Sequence, residues 1–452
     1  MEKSEKKIYS PCKSNFETLY MALLFVFAGI IVITNQEIYG TLFFIAIISL
    51  TLILTDDFSY ALYPILLLSV FVTRCYNSYD IFIKFALYAC VPIYALIFHF
   101  IFYKKKFSIG PTFYGVVLVA IAVTFGGCGQ INFKSYSNAV YYVLGLGIGM
   151  ILFYLEMKPR FGKLQKERIA KIFFIIGFFV CFCILRFYIS AKTFNLVSFQ
   201  SSNNLATILM ICIPFAFYYT TRNFLNIFSI IIFYFCLILC GSRGGLLMGS
   251  LEFVLLLLIY SITTRHKISF FLFIGLDLLF IILLTVFLPK LFYFYGLKVN
   301  NINVVDDNSG LLAKFLKCFS FIVHSGEARI RLLNRSFGDF LSNILFGRGL
   351  GYQGNSDIYK PVSGAMNWYH MWFPQIIGSM GLVGLFCYGF QFIQRINIYI
   401  KNRSSENRAF FCGYLGLFLM TQVNPGEFCP IPYAMIGVLF FILIENSKQE
   451  MK

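Results

Sequence analysis

The chain has 452 residues, 59% hydrophobic and 13% charged, with a mean hydropathy of +0.77. Soluble domains carry roughly 45–50% apolar and about 25% charged residues, so a soluble globular fold is excluded, and disorder, collagen and coiled coil with it. The net charge of +17 would point to nucleic acid in a soluble protein; in a membrane chain it reports topology, and no nucleic-acid partner is expected.

Apolar runs of spanning length begin near Tyr20, Tyr39, Ser59, Phe82, Ile109, Ala139, Ile172, Leu205, Phe224, Leu246, Ile268, Trp372, Ala409 and Cys429. They predict an all-α, polytopic membrane protein of about 12–14 transmembrane helices, with 1–452 as a single transmembrane domain. The lysines of the N-terminal tail, with no small-residue cleavage pattern after the first run, read as an uncleaved start-transfer anchor. Threading outward from a cytoplasmic N-terminus places Lys104 to Lys106, the cations from Lys158 to Lys171, Arg222, Arg265 with Lys267, Arg395 through Arg408 and the C-terminal lysines inside. Both termini are therefore expected in the cytoplasm. The 13 cysteines lie mostly inside apolar runs without metal or disulfide spacing, and read as packing residues.

Residues 291–371 break the pattern of tight turns. They form one large extracytoplasmic loop, exempt from the charge rule and too long for a structureless tether. Chemistry is sought there and at its two membrane junctions.

Four constellations stand out. Cys240-Gly241-Ser242-Arg243-Gly244-Gly245 places a guanidinium at an outer helix start, where flanking glycines let an anion approach backbone N–H groups; snorkelling to the interface is its bland alternative. Ser325 to Phe346 reads as an amphipathic helix. Its apolar face is Ile330, Leu333, Phe337, Leu341 and Ile344, and Arg331, Arg335 and Asp339 lie opposite. Arg329 falls in its first turn, where a cation is best tolerated beside a bound anion; Arg331 and Arg335 are expected to pair with Asp339 or water. Gly347-Arg348-Gly349-Leu350-Gly351-Tyr352-Gln353-Gly354 contains GxGxxG but follows a helix without βαβ context, so a glycine-rich turn over the membrane is favoured over a dinucleotide site. His370, in Asn367-Trp368-Tyr369-His370-Met371-Trp372, stands where the loop re-enters the bilayer and can exchange a proton near neutrality, or serve as one more interfacial aromatic.

His99, His266 and His324 are expected to be structural. Asp306-Asp307 suits a solvated turn better than a metal pair, and Asp56-Asp57 a cytoplasmic turn. Lys84 and Asp277 are intramembrane charges with no partner evident in the sequence.

Together Ser242-Arg243-Gly244, Arg329 upstream of Gly347-Arg348-Gly349-Leu350-Gly351, and His370 leading into Trp372-Phe373-Pro374-Gln375-Ile376-Ile377-Gly378-Ser379-Met380-Gly381-Leu382-Val383-Gly384-Leu385 resemble the bacterial O-antigen ligase and O-antigen polymerase superfamily. That family typically follows its histidine with Asn, where this chain has Met371. The motif likeness covers roughly 240–250 and 325–385; elsewhere only the many-span profile with a late outer loop is similar. The resemblance implies a glycosyltransferase C-like fold and a metal-independent, cofactor-free inverting glycosyltransferase. It would act on undecaprenyl-diphosphate-linked oligosaccharide at the outer face of the bacterial cytoplasmic membrane, joining repeat units to a glycan acceptor, with a chain-length regulator as a further partner.

On that reading Arg243 and Arg329 hold the diphosphate, with Arg348 as an additional contact, and His370 is the general base. A ligase that moves the glycan to lipid A core or another acceptor is the first alternative. A flippase or transporter with Lys84, Arg186, Asp277 and Glu252 along its path is the second.

Overall fold

The computed structural model describes residues 11–75, 90–103, 107–128, 142–160, 163–191, 199–240, 242–263, 275, 327–350, 369–424 and 426–446. Among them the regular structure is entirely helical. Each expected apolar run contains a helix except the one near Ile268, of which only Gly275 is described. Five helices are long and apolar enough to cross a bilayer, within Glu17–Thr34, Lys166–Arg186, Ser202–Arg222, Gly244–Ile262 and Trp372–Lys401, and shorter apolar helices accompany them. Composition therefore foretold an all-helical, membrane-compatible chain correctly. Most of the proposed outer loop, with Asp306-Asp307, Ser325 and Gly351 to Trp368, lies outside the described residues, as do Lys84, His266, Asp277 and His324.

The chain divides into two compact units, Met1–Lys105 and Lys106–Lys452. In the first, α1 (Pro11–Thr34), α2 (Glu37–Leu54), α3 (Ser59–Cys75) and α4 (Cys90–Phe102) pack through α2. Its buried polar groups are paired, as burial in an apolar medium requires. The Tyr63 hydroxyl donates to the Glu17 carboxylate at 2.6 Å, and the His99 ring meets the Leu52 carbonyl at 2.8 Å, the structural role expected of that histidine.

The second unit runs α5 (Pro111–Cys128), a π-helical turn Val143–Gly149, α6 (Met150–Met157), α7 (Lys163–Ala191), α8 (Phe199–Arg222), α9 (Ile227–Leu239), α10 (Arg243–Thr263), α11 (Glu327–Ser342), α12 (Trp372–Lys401), α13 (Ser405–Thr421) and α14 (Met435–Glu445). Helix α8 lies at the centre, against α7, α9, α10 and α13, while α5 packs on α12 and α14 on α6 and α13. Phe173, Phe215, Phe410 and Phe440 interlock between α7, α8, α13 and α14. The cysteines whose side chains are described are free and, apart from the half-buried Cys429, buried in this packing.

Two irregularities shape the unit. The first is a break in α12 at Gly381, whose φ of 60° and ψ of −148° lie outside helical space. In a straight helix Trp372 and Phe392 would stand about 30 Å apart, yet their ring centroids are 6.4 Å apart. The segment from Trp372 to Met380 is thus a half-helix folded back against the crossing segment that begins at Leu382. A sequence window sees only one continuous apolar run there, so the single span expected from Trp372 is corrected to a half-helix plus a span.

The second follows α13. Stacking of Tyr399 on Phe411 and of Phe392 on Phe418 sets α12 antiparallel to α13, and Arg395 lies level with Tyr414, 4.6 Å over its ring. Glu427, six residues beyond the end of α13, nevertheless forms an ion pair with Arg395. The segment between Thr421 and Met435, with its 3₁₀ turn Gly426–Phe428 and π turn Pro430–Ala434, therefore re-enters the bundle. Helix α14, at 11 residues, spans only about 16 Å. Arg395 and Glu427 have side chains only 3% and 6% exposed, so Arg395 belongs to the interior and not to the cytoplasmic cation set where the charge rule placed it. Irregular backbone at this depth is tolerated when protein buries it.

At the other end of α14, Glu445 accepts from Tyr154 Oη at 2.7 Å and from the Thr112 amide at 2.9 Å, and pairs with Lys158 Nζ at 2.8 Å. One carboxylate thereby caps α5 and ties α6 to α14. Gly110 leaves room for it: a Cβ there would sit 2.8 Å from Glu445 Oε1.

Breaking one partner of a buried pair costs about 3–5 kcal/mol, whereas apolar replacement of both is close to neutral. Glu445→Gln is expected to lower the thermal midpoint of the purified protein in detergent sharply, and Lys158→Met with Glu445→Leu to recover most of the loss. Gly381→Ala is expected to destabilise strongly, because a Cβ would lie 2.5 Å from the Ile344 carbonyl oxygen at positive φ, while Gly389→Ala, with open space around it, should be silent in the same melt.

Candidate functional site

The break in α12 leaves backbone groups without helical partners, and the segment after α11 takes them up. The amides of Arg348 and Gly349 donate to the Gly378 and Ser379 carbonyls at 2.8 and 3.1 Å; those of Leu382 and Val383 donate to the Ile344 and Leu345 carbonyls at 2.9 and 3.1 Å. The Leu350 amide reaches the Gly126 carbonyl of α5 at 3.1 Å. Gly347 has φ 66° and Gly349 φ 93°, and a Cβ at Gly347 would sit 2.7 Å from the Gly378 carbonyl oxygen. The glycine-rich turn expected here is present, and it closes the ends of a broken helix.

That docking gathers polar groups. Asp339 is buried and accepts from Tyr369 Oη at 2.6 Å. Arg335 Nε stands 3.6 Å and Arg348 Nε 3.9 Å from its two oxygens, so the pairing expected for Arg335 is present. Arg331 is exposed. The Tyr369 amide donates to Gln375 Oε1 at 2.9 Å, and the absence of a side chain at Gly378 admits the Tyr369 ring. His370 follows Tyr369 directly, half-buried, with φ 55°. Left-handed backbone at a non-glycine residue costs about 1–3 kcal/mol and concentrates at functional sites. Immediately beyond lies the start of the α12 half-helix, whose N-cap position, Met371, makes no side-chain cap bond. Its first N–H groups and dipole favour an anion.

Helix α11 turns the side bearing Leu332, Ser336 and Asp339 toward the protein. Leu332 and Ser336 are fully buried with Asp339, while Ile330 and Leu341 are 59% and 69% exposed and Phe337 and Ile344 also face outward. An amphipathic helix with this polarity suits the membrane interface, apolar side in lipid. Arg329 stands at the third position of the helix, in its first turn as the sequence predicts.

Arg243 is the first residue of α10, again as expected. Ser242 caps that helix: its Oγ accepts from the Gly245 amide at 3.0 Å and donates to Asn203 Oδ1 at 2.6 Å. Gly245 allows close approach of α8, where a Cβ would lie 2.5 Å from Ala206 Cβ. This glycine therefore serves helix packing, not the anion approach proposed from sequence.

The re-entrant segment joins the same place, for Tyr433 Oη donates to the Asn204 carbonyl and Oδ1 at 3.2 and 3.1 Å. Arg408 over the Tyr260 ring and Glu252 against Gly416 set α10 antiparallel to α13, which places Arg243 level with the chain just past Thr421. Trp372 packs on Phe418, one turn before that end, with ring centroids 5.5 Å apart. The helix start of Arg243 and the half-helix start beside His370 thus occupy the same end of α13.

Sequence reasoning missed Tyr369, Gln375, Glu427 and the partnership of Asp339 with Arg348. Glu252, one of the residues considered for a transport path, is buried against Gly416, and both its carboxylate oxygens lack a hydrogen-bond partner among the described residues. His, Cys, Asp and Glu form no group of three able to hold a metal among the described residues. No known protein family, curated protein or solved structure matches the chain.

A buried hydrogen bond to a charged group contributes about 1.5–3 kcal/mol. Tyr369→Phe is expected to lower stability by that amount, read from the detergent melt. An unchanged midpoint would mean that the bond to Asp339 does not hold Tyr369 in place.

Proposed function

We propose that the chain is a polymerase of undecaprenyl-diphosphate-linked oligosaccharide repeat units, acting at the outer face of a bacterial cytoplasmic membrane. The observation that carries the reading is the cluster in which Arg348, Arg335, Asp339 and Tyr369 meet beside the strained His370 and an uncapped half-helix start. Discontinuous helices with such ends recur at anionic substrate sites within membranes.

Breaking the bond between the anomeric carbon and the diphosphate oxygen leaves an electron pair on the diphosphate. Arginines meet that charge because they stay protonated and grip phosphate oxygens in forked geometry. Arg243 and Arg329 take this role, supported by their positions in the first turns of α10 and α11, and Arg348 assists from the glycine turn. The acceptor sugar hydroxyl attacks the opposite face of the anomeric carbon, inverting it, and its proton passes to the His370 imidazole as the new glycosidic bond forms. Lipid tails held among the exposed apolar residues of α11 would keep the reacting groups in register.

Removing one such charge-stabilising donor typically costs about 3–4 kcal/mol. Arg243→Ala and Arg329→Ala are each expected to lower polymer formation by two to three orders of magnitude while insertion stays normal, with His370→Ala similar and Arg348→Ala milder. The assay offers reconstituted protein only undecaprenyl-linked repeat units and reads a product ladder on a gel. Ordinary ladders from both arginine variants remove the diphosphate assignment. No product from the wild type until a second acceptor is supplied identifies a ligase, and lipid-linked sugar crossing the vesicle without any new glycosidic bond identifies a transporter.

A further inference from the structure

The carboxamides beside the start of α10 keep uncommitted donors. Ser242 Oγ accepts from the Gly245 amide, so its own proton goes to Asn203 Oδ1 at 2.6 Å, and Tyr433 Oη donates to Asn204 Oδ1 at 3.1 Å. Both amide oxygens are thus held by hydroxyls of the protein, which fixes how each carboxamide is turned. The Nδ2 groups of Asn203 and Asn204 form no hydrogen bond among the described residues.

The pairing of α8 with α13 brings further amides to the same place. Tyr218 meets Glu406, the Phe215 ring meets Phe410, and a Cβ on Gly413 would lie 3.0 Å from the Ile211 carbonyl oxygen. Continued in that antiparallel register, Asn203 and Asn204 stand level with the end of α13, where Gln422 and Asn424 follow Thr421. Gln422 Nε2 donates to the Phe418 carbonyl at 3.1 Å, which leaves its oxygen open. Asn424 is 8% exposed, and its side chain forms no hydrogen bond among the described residues. None of these uncommitted atoms is sealed from solvent, in contrast to the Glu252 carboxylate deeper in the bundle.

We infer that Asn203, Asn204 and Asn424 bind the sugar joined directly to the diphosphate and set which sugars are accepted. Donors and acceptors are interleaved here and none is charged, which suits sugar hydroxyls, each of them donor and acceptor at once. Arg243 follows Ser242 directly, so a group bound by Asn203 lies beside the helix start assigned to the diphosphate; the inference rests on that assignment. The amide nitrogens donate to oxygens of the sugar, while Asn424 Oδ1 and Gln422 Oε1 accept from its hydroxyls. A site built to hydrogen-bond a hydroxyl discriminates strongly against ligands that lack it, because its own polar groups are then left unpaired.

Native mass spectrometry of the full-length protein in detergent tests it with two probes, undecaprenyl diphosphate and the same lipid carrying one N-acetylglucosamine, whose hydroxyls and acetamido group offer both donors and acceptors. Wild type is expected to hold the glycosylated lipid about tenfold more tightly, the worth of one or two hydrogen bonds. Asn424→Ala breaks no side-chain bond within the described protein. It should reduce that preference about fivefold, with the bare diphosphate lipid bound as before and the melting midpoint unchanged. Asn203→Ala should reduce the preference likewise, at some cost in stability from the lost Ser242 bond. Asn397→Ala, an exposed amide toward the far end of α12, should change neither. Equal binding of the two lipids by wild type, or an undiminished preference in Asn424→Ala and Asn203→Ala, overturns the sugar site and leaves the diphosphate assignment standing. Binding of neither lipid overturns the proposed function and this inference with it.

Discussion

A backbone amide or carbonyl inside a bilayer must find a protein partner, since no water is present to replace one. That requirement governs the centre of this protein. When α12 breaks at Gly381, carbonyls of its first half and amides of its second lose their helical partners, and the chain from Ile344 to Gly349 supplies four replacements. Only glycine fits where the two segments touch: at Gly347 and Gly381 a side chain would collide with backbone, and both residues adopt positive φ. The break and the turn are therefore one device. Each supplies the backbone partners the other lacks, and together they bring the region after α11 onto the end of the half-helix.

The same rule applied to charge explains the two buried ion pairs. Arg395 with Glu427 holds the re-entrant segment in the bundle, and the guanidinium also lies over the rings of Tyr414 and Phe441. Lys158 with Glu445 closes the far end of α14 on α6, while the second carboxylate oxygen caps α5. Such pairs contribute little net stability against an apolar alternative. Their value is in specifying which segments meet, which matters in a bundle whose helices otherwise present interchangeable leucine, isoleucine and phenylalanine to one another.

How much of this was legible in the sequence depends on the kind of signal. Hydropathy located nearly every helix, because twenty apolar residues in succession admit few other structures. Helix starts at Arg243 and near Arg329 followed from serine and glycine punctuation, and the Arg335–Asp339 pair from i, i+4 spacing. The break in α12 was hidden because Ile376 to Leu385 is apolar on both sides of Gly381, and a glycine in such a run is equally compatible with close helix packing, as at Gly245. The re-entrant segment was hidden for the opposite reason. Its prolines and Glu427 stand between two apolar runs, where a turn would equally stand, and the partner, Arg395, 32 residues earlier, shows how deep the segment lies. Arg395 itself was assigned by the charge rule to the cytoplasmic face, because that rule counts cations near span ends without seeing their partners.

Strain and support are distributed in a way that fits a working site. His370 holds an unfavourable backbone conformation, and its neighbour Tyr369 is fixed at both ends, by its amide on Gln375 and its hydroxyl on Asp339. Asp339 is fixed in turn by α11, whose outward apolar residues favour a set depth in lipid. The position of the imidazole is thus referred to the plane of the membrane through α11 and to the bundle through α12. A lipid-linked substrate of the kind proposed would be located by that same plane, since its tails cannot leave the hydrocarbon. A site built on an interfacial helix and a half-helix start would therefore meet the headgroup of such a substrate at a fixed height.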